Sequence, residues 1–364
     1  MEKLFGGIYY NRRVLITGHT GFKGSWLAYW LNKMGAQVIG FSLEAPTQPN
    51  HFNYIKDNIH SEIFDIREIS ELRNVFAKFQ PEIVFHLAAQ PLVKLSYDDP
   101  LTTYEVNVMG TLNVLQVSRE TPSVNVIVNI TSDKCYENKE WIWGYRENDE
   151  LGGYDPYSSS KACSELVTSA YRNSFLNIKD FGKSHHILLA SARAGNVIGG
   201  GDWAKDRLIP DLIKNITKGE KTEIRNLFSS RPWQHVLEPL SGYLLLGWRL
   251  LEGESKFATS WNFGPIDKSS ATVKEVIELA TEFWDKVQVE YPTHLSNVHE
   301  ANNLSLDCTK ALTNLRWENV WDLRNSVERT INWYKSFYTN GKINTIDDLS
   351  EFVELGTEKG LVWT

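Results

Sequence analysis

Two short stretches of this chain combine residue types able to move protons. Tyr157-Ser158-Ser159-Ser160-Lys161 sets a phenol and an ammonium four residues apart, which places both side chains on one face of a helix. An ammonium near a phenol favours the phenolate and draws a pKa of ~10 toward the working range. Tyr157 would then take a proton from a hydroxyl as hydride leaves the adjoining carbon. The second stretch, Thr131-Ser132-Asp133-Lys134, puts a hydroxyl, a carboxyl and an amine side by side directly after an apolar run. An acid and a base so placed suit the removal of a proton from one atom and its delivery to the next. In an arbitrary sequence both stretches would be solvated surface, so the surrounding elements decide.

Those elements read as alternating strands and helices. Short apolar runs at residues 14–17, 37–41, 63–66, 83–87 and 124–130 are separated by helix-like segments at 26–34, 68–79 and 100–117, the rhythm of βαβ units in a buried parallel sheet. Asp155-Pro156 supplies an N-cap followed by Pro at the first helical position, so a helix over 157–171 carries Tyr157 and Lys161. Residues 186–192 read as a sixth strand, and the apolar segments at 237–250 and 261–263 are expected to complete the sheet. After Ser269-Ser270 the chain reads as mostly helical. The expected fold is α/β, a doubly wound parallel Rossmann sheet with a smaller, mostly helical substrate-binding lobe. Its division is 1–196 plus 236–266 for the dinucleotide-binding domain and 197–235 plus 267–364 for the lobe. Thr131–Lys134 would then lie at the carboxyl edge, where open α/β sheets bind ligands.

The first strand runs into Thr17-Gly18-His19-Thr20-Gly21-Phe22-Lys23-Gly24. Glycines at this spacing allow a tight turn and let a pyrophosphate approach the amides at a helix start. After the second strand an acid usually holds the ribose 2′-hydroxyl; here Phe41-Ser42-Leu43-Glu44 has it missing or displaced to Glu44. Lys23 inside the glycine loop could favour NADP.

The GxxGFxG loop, Phe64-Asp65-Ile66, His86-Leu87-Ala88-Ala89-Gln90, Asn107 and the Tyr-Lys pair, in that order, resemble the extended short-chain dehydrogenase/reductase family over roughly residues 12–265. The resemblance implies a dinucleotide site made by Gly18, Thr20, Gly21, Phe22, Lys23, Gly24, Ser42, Asp65, Ile66, Leu87, Ala88 and Ala89, together with Tyr157 and Lys161. Asp65 would accept from the adenine amine, and Asn107 is structural. Arg193-Ala194-Gly195-Asn196, Asp206-Arg207-Leu208-Ile209-Pro210 and Ser230-Arg231-Pro232-Trp233-Gln234-His235 resemble the family's nucleotide-sugar elements. They imply substrate contacts from Gln90, Asn196, Arg207, Leu208, Arg231 and His235, with Arg231 forking onto phosphate. Pro232 and His235 depart from the family's Asp and Tyr.

Ser132-Asp133-Lys134 resembles the acid–base pair of the nucleotide-sugar 4,6-dehydratase branch, with Lys in place of the usual Glu, as in the members acting on CDP-linked glucose; those that invert C5 of UDP-N-acetylglucosamine carry a similar pair. The catalytic set implied is Ser132, Asp133, Lys134, Tyr157 and Lys161. The expected reaction oxidises C4, eliminates water across C5 and C6 and returns hydride to C6. That internal return needs no reducing pool and favours NAD as cofactor. Dehydratases of dTDP-glucose or UDP-N-acetylglucosamine, a 4-epimerase, and a non-catalytic dinucleotide sensor are the alternatives. An epimerase has no need of Asp133 and Lys134, and a sensor none of Tyr157 and Lys161.

Composition narrows the class. With 364 residues, 42% hydrophobic, the chain can bury a large core. A net charge of −7 with no basic stripe argues against nucleic acid. Cys135, Cys163 and Cys308 form no close pair, so neither a disulfide framework nor a metal site is expected. No apolar run approaches the ~20 residues of a membrane span, and residues 1–5 lack an apolar signal core. A cytoplasmic homodimer is expected, paired through the helices at 100–117 and 157–171 as in the family.

Overall fold

The computed structural model describes residues 1–224, 226–266, 270–290 and 303–364. Seven parallel strands form its sheet: β1 (Arg13–Thr17), β2 (Gln37–Ser42), β3 (His60–Ile63), β4 (Ile83–His86), β5 (Val126–Ile130), β6 (Leu188–Ala194) and a seventh at Ser260–Phe263. Their order is seventh, β6, β5, β4, β1, β2, β3. Side chains alternate as the pleat requires. Val14 and Ile16 face one apolar core and Leu15 the other; Val126 and Val128 oppose Ile127 in the same way. Both faces are therefore covered by helices, the condition under which a parallel sheet is stable.

The strand order reverses between β1 and β4, opening a crevice at their carboxyl ends. There the two strand ends touch closely: Leu87 N–H donates to Thr17 O at 3.1 Å and Ala88 N–H to Thr17 Oγ1 at 3.2 Å. Gly18 has φ +77°, and a Cβ on it would sit 2.7 Å from Ala88 N. Only glycine meets both demands.

The core runs without a break from the sheet into the rest of the chain. Trp363 stacks on Phe5 at 5.5 Å and on Phe352 at 5.7 Å, while Phe352 meets Trp30 edge-on at 5.8 Å. The final helix, Thr345–Glu358, is thus fastened to the glycine-loop helix, Phe22–Lys33. Several of the thirteen tryptophans are core residues of this kind.

Three elements differ from the sequence reading. Residues 237–250 do not extend the sheet; they form a helix, Leu237–Leu251, buried along most of its length. A run of fifteen residues, apolar but for Glu238, Ser241 and Arg249, is too long for a strand and suits a largely enclosed helix. β3 ends at Ile63, so Phe64-Asp65-Ile66 leaves the sheet as a loop. Finally, the 100–117 segment is not one regular helix. Pro100–Tyr104 and Gly110–Glu120 are joined by a π turn at Glu105–Met109. Asn107 in that turn accepts from Gln90 N–H at 2.8 Å and donates to Gln90 O at 3.1 Å and Ser160 Oγ at 2.8 Å. The extra residue of the π turn aims this amide, and the bonds fix Asn107 as structural.

Candidate active site

The crevice opens into a cleft of about 1580 Å³ along the carboxyl edge of the sheet. Every residue singled out above for cofactor, substrate or catalysis lines it, except His235.

The catalytic helix, Pro156–Ser174, begins where Asp155 accepts from Ser158 N–H at 2.9 Å, with Pro156 at its first position. Tyr157 and Lys161 are both buried on its inner face. Opposite them, β5 ends in a single turn, Asp133–Cys135, capped by Ser132, whose Oγ accepts from Lys134 N–H at 3.3 Å. The same hydroxyl donates to Asp133 Oδ1 at 2.9 Å. Ser132, Asp133, Lys134, Tyr157 and Lys161 thus stand around one end of the cleft.

The electrostatics differ from the sequence reading. Burial pushes Tyr157 up to about 12, and the groups pulling it down are Ser132, through a hydrogen bond, and Arg207. Lys161 is itself pulled down to about 7 by burial and then by Lys23. A half-neutral ammonium gives little help to a phenolate, so here desolvation wins over the pairing expected of a Tyr-x-x-x-Lys motif. Burial also raises the Asp133 carboxyl, against the pull of Lys134, Ser132 and Arg231.

The glycine loop is packed tightly: a Cβ on Gly24 would lie 2.0 Å from Gly18 O. Gly21 is the extended N-cap of the helix, and Thr20 Oγ1 bonds Ser42 Oγ and Leu43 O, each at 2.9 Å. A loop with no room for a methyl group, at a helix start, fits a cofactor pyrophosphate. Lys23, however, faces Arg207 and Asp133, and burial with Arg207 draws it down to about 8. It points to the catalytic end of the cleft and not to an adenosine ribose, so it gives no ground for NADP. Asp65 is clasped by Arg67, with contacts of 2.7 to 3.1 Å that hold its carboxyl below the usual range.

On the substrate side, Arg207 Nη1 donates to Asp202 Oδ2 at 2.8 Å, which holds the guanidinium beside Tyr157. Ser229, Arg231 and Trp233 line the cleft at every second residue, as an extended segment would present them. His235 does not continue the series. The chain turns inward, Leu237 N–H donates to His235 Nδ1 at 3.3 Å, and the ring packs against Trp321 at 4.8 Å and Trp26 at 5.9 Å. Burial lowers its pKa to about 3. His235 is a core residue, which corrects its assignment to the substrate. Gln90 reaches the cleft, but its side chain is engaged with Leu92 and Thr103.

Two features escaped the sequence reading. His19 bonds Ser61 Oγ at 2.6 Å and lies so close over β2 that a Cβ on Gly40 would meet its ring at 2.2 Å. Gly40 inside an apolar strand was the available signal of such an approach. The other is the buried pair Glu165–Arg193 behind the catalytic turn, at 2.9 Å. Glu165 lies four residues after Lys161 on the same helix face.

The family model for GDP-mannose 4,6-dehydratase matches residues 15–330. The chain belongs to this family. It is 51% identical over 329 residues to a CDP-glucose 4,6-dehydratase of Salmonella typhimurium, covering 90% of this chain and 91% of that one. A dTDP-glucose 4,6-dehydratase of Haemophilus influenzae is 23% identical over 347 residues, covering 88% of this chain and 97% of the other. Among solved structures, the UDP-glucose 4-epimerase of Thermotoga maritima superposes with a TM-score of 0.75 at 21% identity over 89% of this chain and 99% of that one. The dTDP-glucose 4,6-dehydratase of Bacillus anthracis, solved with NAD, gives 0.72 at 21% identity over 89% and 97%. These two share the fold. An epimerase and a dehydratase thus share one scaffold, so the fold alone does not choose between their chemistries.

Proposed function

We propose that this chain is a hydro-lyase that converts CDP-D-glucose to CDP-4-keto-6-deoxy-D-glucose and water with NAD as resident cofactor. The observation that carries the reading is the Ser132-Asp133-Lys134 turn facing Tyr157 and Lys161 across one cleft, in a chain 51% identical to a CDP-glucose 4,6-dehydratase. The glycine loop that admits no Cβ at Gly18 or Gly24 suits the cofactor's pyrophosphate. When bound, NAD supplies a positively charged ring that takes hydride from C4 and gives it back to C6.

The chain's own groups handle the protons. Tyr157 takes the C4 hydroxyl proton, with Ser132 donating to the same oxygen and Arg207 favouring the phenolate. Lys134 removes the C5 proton, which the neighbouring C4 ketone has made acidic. Asp133, whose carboxyl burial raises above its usual range, protonates the departing 6-hydroxyl. Arg231 and Asn196 hold the diphosphate, while Arg207 and Leu208 belong to the element that packs toward the base. Asp133 and Lys134 are coupled, so the two proton roles belong to the pair.

The division into 1–196 plus 236–266 and 197–235 plus 267–364 is retained as the domain reading, supported by Ser260–Phe263 pairing with β6. A homodimer is proposed through the segments Pro100–Tyr104 and Pro156–Ser174, whose exposed Leu101 and Leu166 are 70% and 57% accessible. No helix among the described residues is long and apolar enough to cross a membrane, and a cytoplasmic site of action is proposed. Incubation with a panel of nucleotide sugars tests the reading: a 4-keto product, seen by its absorbance in alkali, should form from CDP-glucose well ahead of the UDP and dTDP sugars.

A further inference from the structure

The turn Asp133–Cys135, capped by Ser132, is only three residues long, and its two ends are fastened from behind by one buried network. Thr131, just before it, donates from Oγ1 to Glu165 Oε1 at 2.5 Å. Tyr136, just after it, receives Arg193 Nη1 at 2.7 Å, and Arg193 Nη2 donates to Glu165 Oε2 at 2.9 Å. Ser191 Oγ donates to the same Oε2 at 2.7 Å. All five side chains are buried. Burial works against the Glu165 charge, but Arg193 and the two hydroxyls outweigh it and hold the carboxyl below its usual range.

An ion pair so deeply buried is a poor source of stability, because apolar residues of similar volume often serve as well. Its position suggests another use. Tyr157, Lys161 and Glu165 follow one another at four-residue steps on the catalytic helix, so the Glu165 carboxylate joins the helix that handles the C4 hydroxyl to the turn that handles C5 and C6. Those two groups must act in sequence on adjacent carbons of one sugar, and a displacement of ~1 Å in such a constellation costs ~10²-fold in rate.

We propose that Glu165 is a positioning residue for the elimination step, its carboxylate locking the Ser132–Lys134 turn in register with Tyr157 and Lys161. The inference rests on the dehydratase reading given above. Thr131→Val removes the bond to the turn and leaves the ion pair whole. It should keep the melting temperature within a few degrees and KM for CDP-glucose within about threefold, while kcat falls ~10–10²-fold. Oxidation would then outrun elimination, and reduced cofactor should accumulate at its near-ultraviolet band.

Glu165→Gln alone leaves Arg193 buried and unpaired and endangers folding. The double variant Glu165→Leu/Arg193→Met replaces both charges with apolar side chains of similar volume and should fold. Its activity should stay ~10²-fold down with reduced cofactor still accumulating, because restored packing does not restore the link to the turn. Recovery of kcat along with stability in the double variant would make the pair merely structural and overturn the proposal. So would a Thr131→Val enzyme with wild-type kcat and no accumulation. A wild-type enzyme inert on CDP-glucose would bring down the reading beneath it instead.

Discussion

Gly24→Ala tests the cofactor loop at its tightest point. The added Cβ would lie 2.0 Å from Gly18 O, 2.8 Å from Gly18 C and 2.9 Å from His19 Cα, all of them backbone atoms. Ordinary contact begins at 3.4 Å, so the nearest pair must part by about 1.4 Å, the difference between those distances. Gly18 has little freedom to retreat, since its own Cβ position is 2.7 Å from Ala88 N. Helix propensity alone would favour alanine by ~1 kcal/mol, whereas overpacking costs ~1–3 kcal/mol. The two nearly offset, and the melting temperature should fall by only a few degrees. The ligand is less forgiving. Two amide bonds to a charged diphosphate, worth ~1.5–3 kcal/mol each, lose their aim, which amounts to ~10²–10⁴ in affinity. Titration of NAD against tryptophan fluorescence should therefore show a dissociation constant at least ~10²-fold above wild type. Affinity within about threefold of wild type would mean that the loop does not grip the cofactor through these amides.

Four further outcomes follow from the same geometry. Tyr157→Phe removes only the ionisable oxygen, so hydride transfer should drop ~10²–10⁴-fold with NAD affinity nearly intact; turnover within tenfold of wild type removes Tyr157 from the mechanism. Arg231→Ala should raise KM more than it lowers kcat, because a diphosphate contact is much the same in ground and transition states, and an unchanged KM moves the phosphate site elsewhere. His235→Phe should change stability and leave KM for the nucleotide sugar alone; a tenfold rise in KM would return His235 to the substrate. Burial pushes Asp348 up to about 8 against the pull of Arg329, so its contribution to folding is fullest below the unfolded value of ~3.9 and is lost as pH rises through its folded pKa. Asp348→Asn should accordingly gain in melting temperature over wild type as pH is raised from about 4 to about 8, and a gain independent of pH would show that the carboxyl titrates normally.

What the sequence revealed and what it concealed divide along physical lines. β1, β2 and β4 were legible because parallel strands covered on both faces are short, continuously apolar and bounded by turns. The helix Leu237–Leu251 was misread because an enclosed helix is apolar all round and loses the period that would identify it. The motif residues were found because backbone constraints and helix spacing act locally: Gly18 needs a positive φ, and Tyr157 and Lys161 share a face. His235 was misplaced because it was assigned through a motif from whose Tyr it departs, and the motif carries no sign of where the chain turns inward. The Glu165–Arg193 pair was invisible as an interaction, since it joins a helix to a strand 28 residues away. The lowered Lys161 pKa was hidden for the same reason, because Lys23 reaches it only through the fold.

Isotope transfer tests the central claim most directly. CDP-glucose carrying deuterium at C4 is turned over in ordinary water, and unlabelled substrate in heavy water. Oxidation at C4, elimination and internal return predict that the C4 label reappears at C6, that one solvent hydron enters at C5, and that no net reduced cofactor forms. Label returned to C4 with inverted configuration would instead make this chain an epimerase, and label released into free reduced cofactor would make it a simple dehydrogenase.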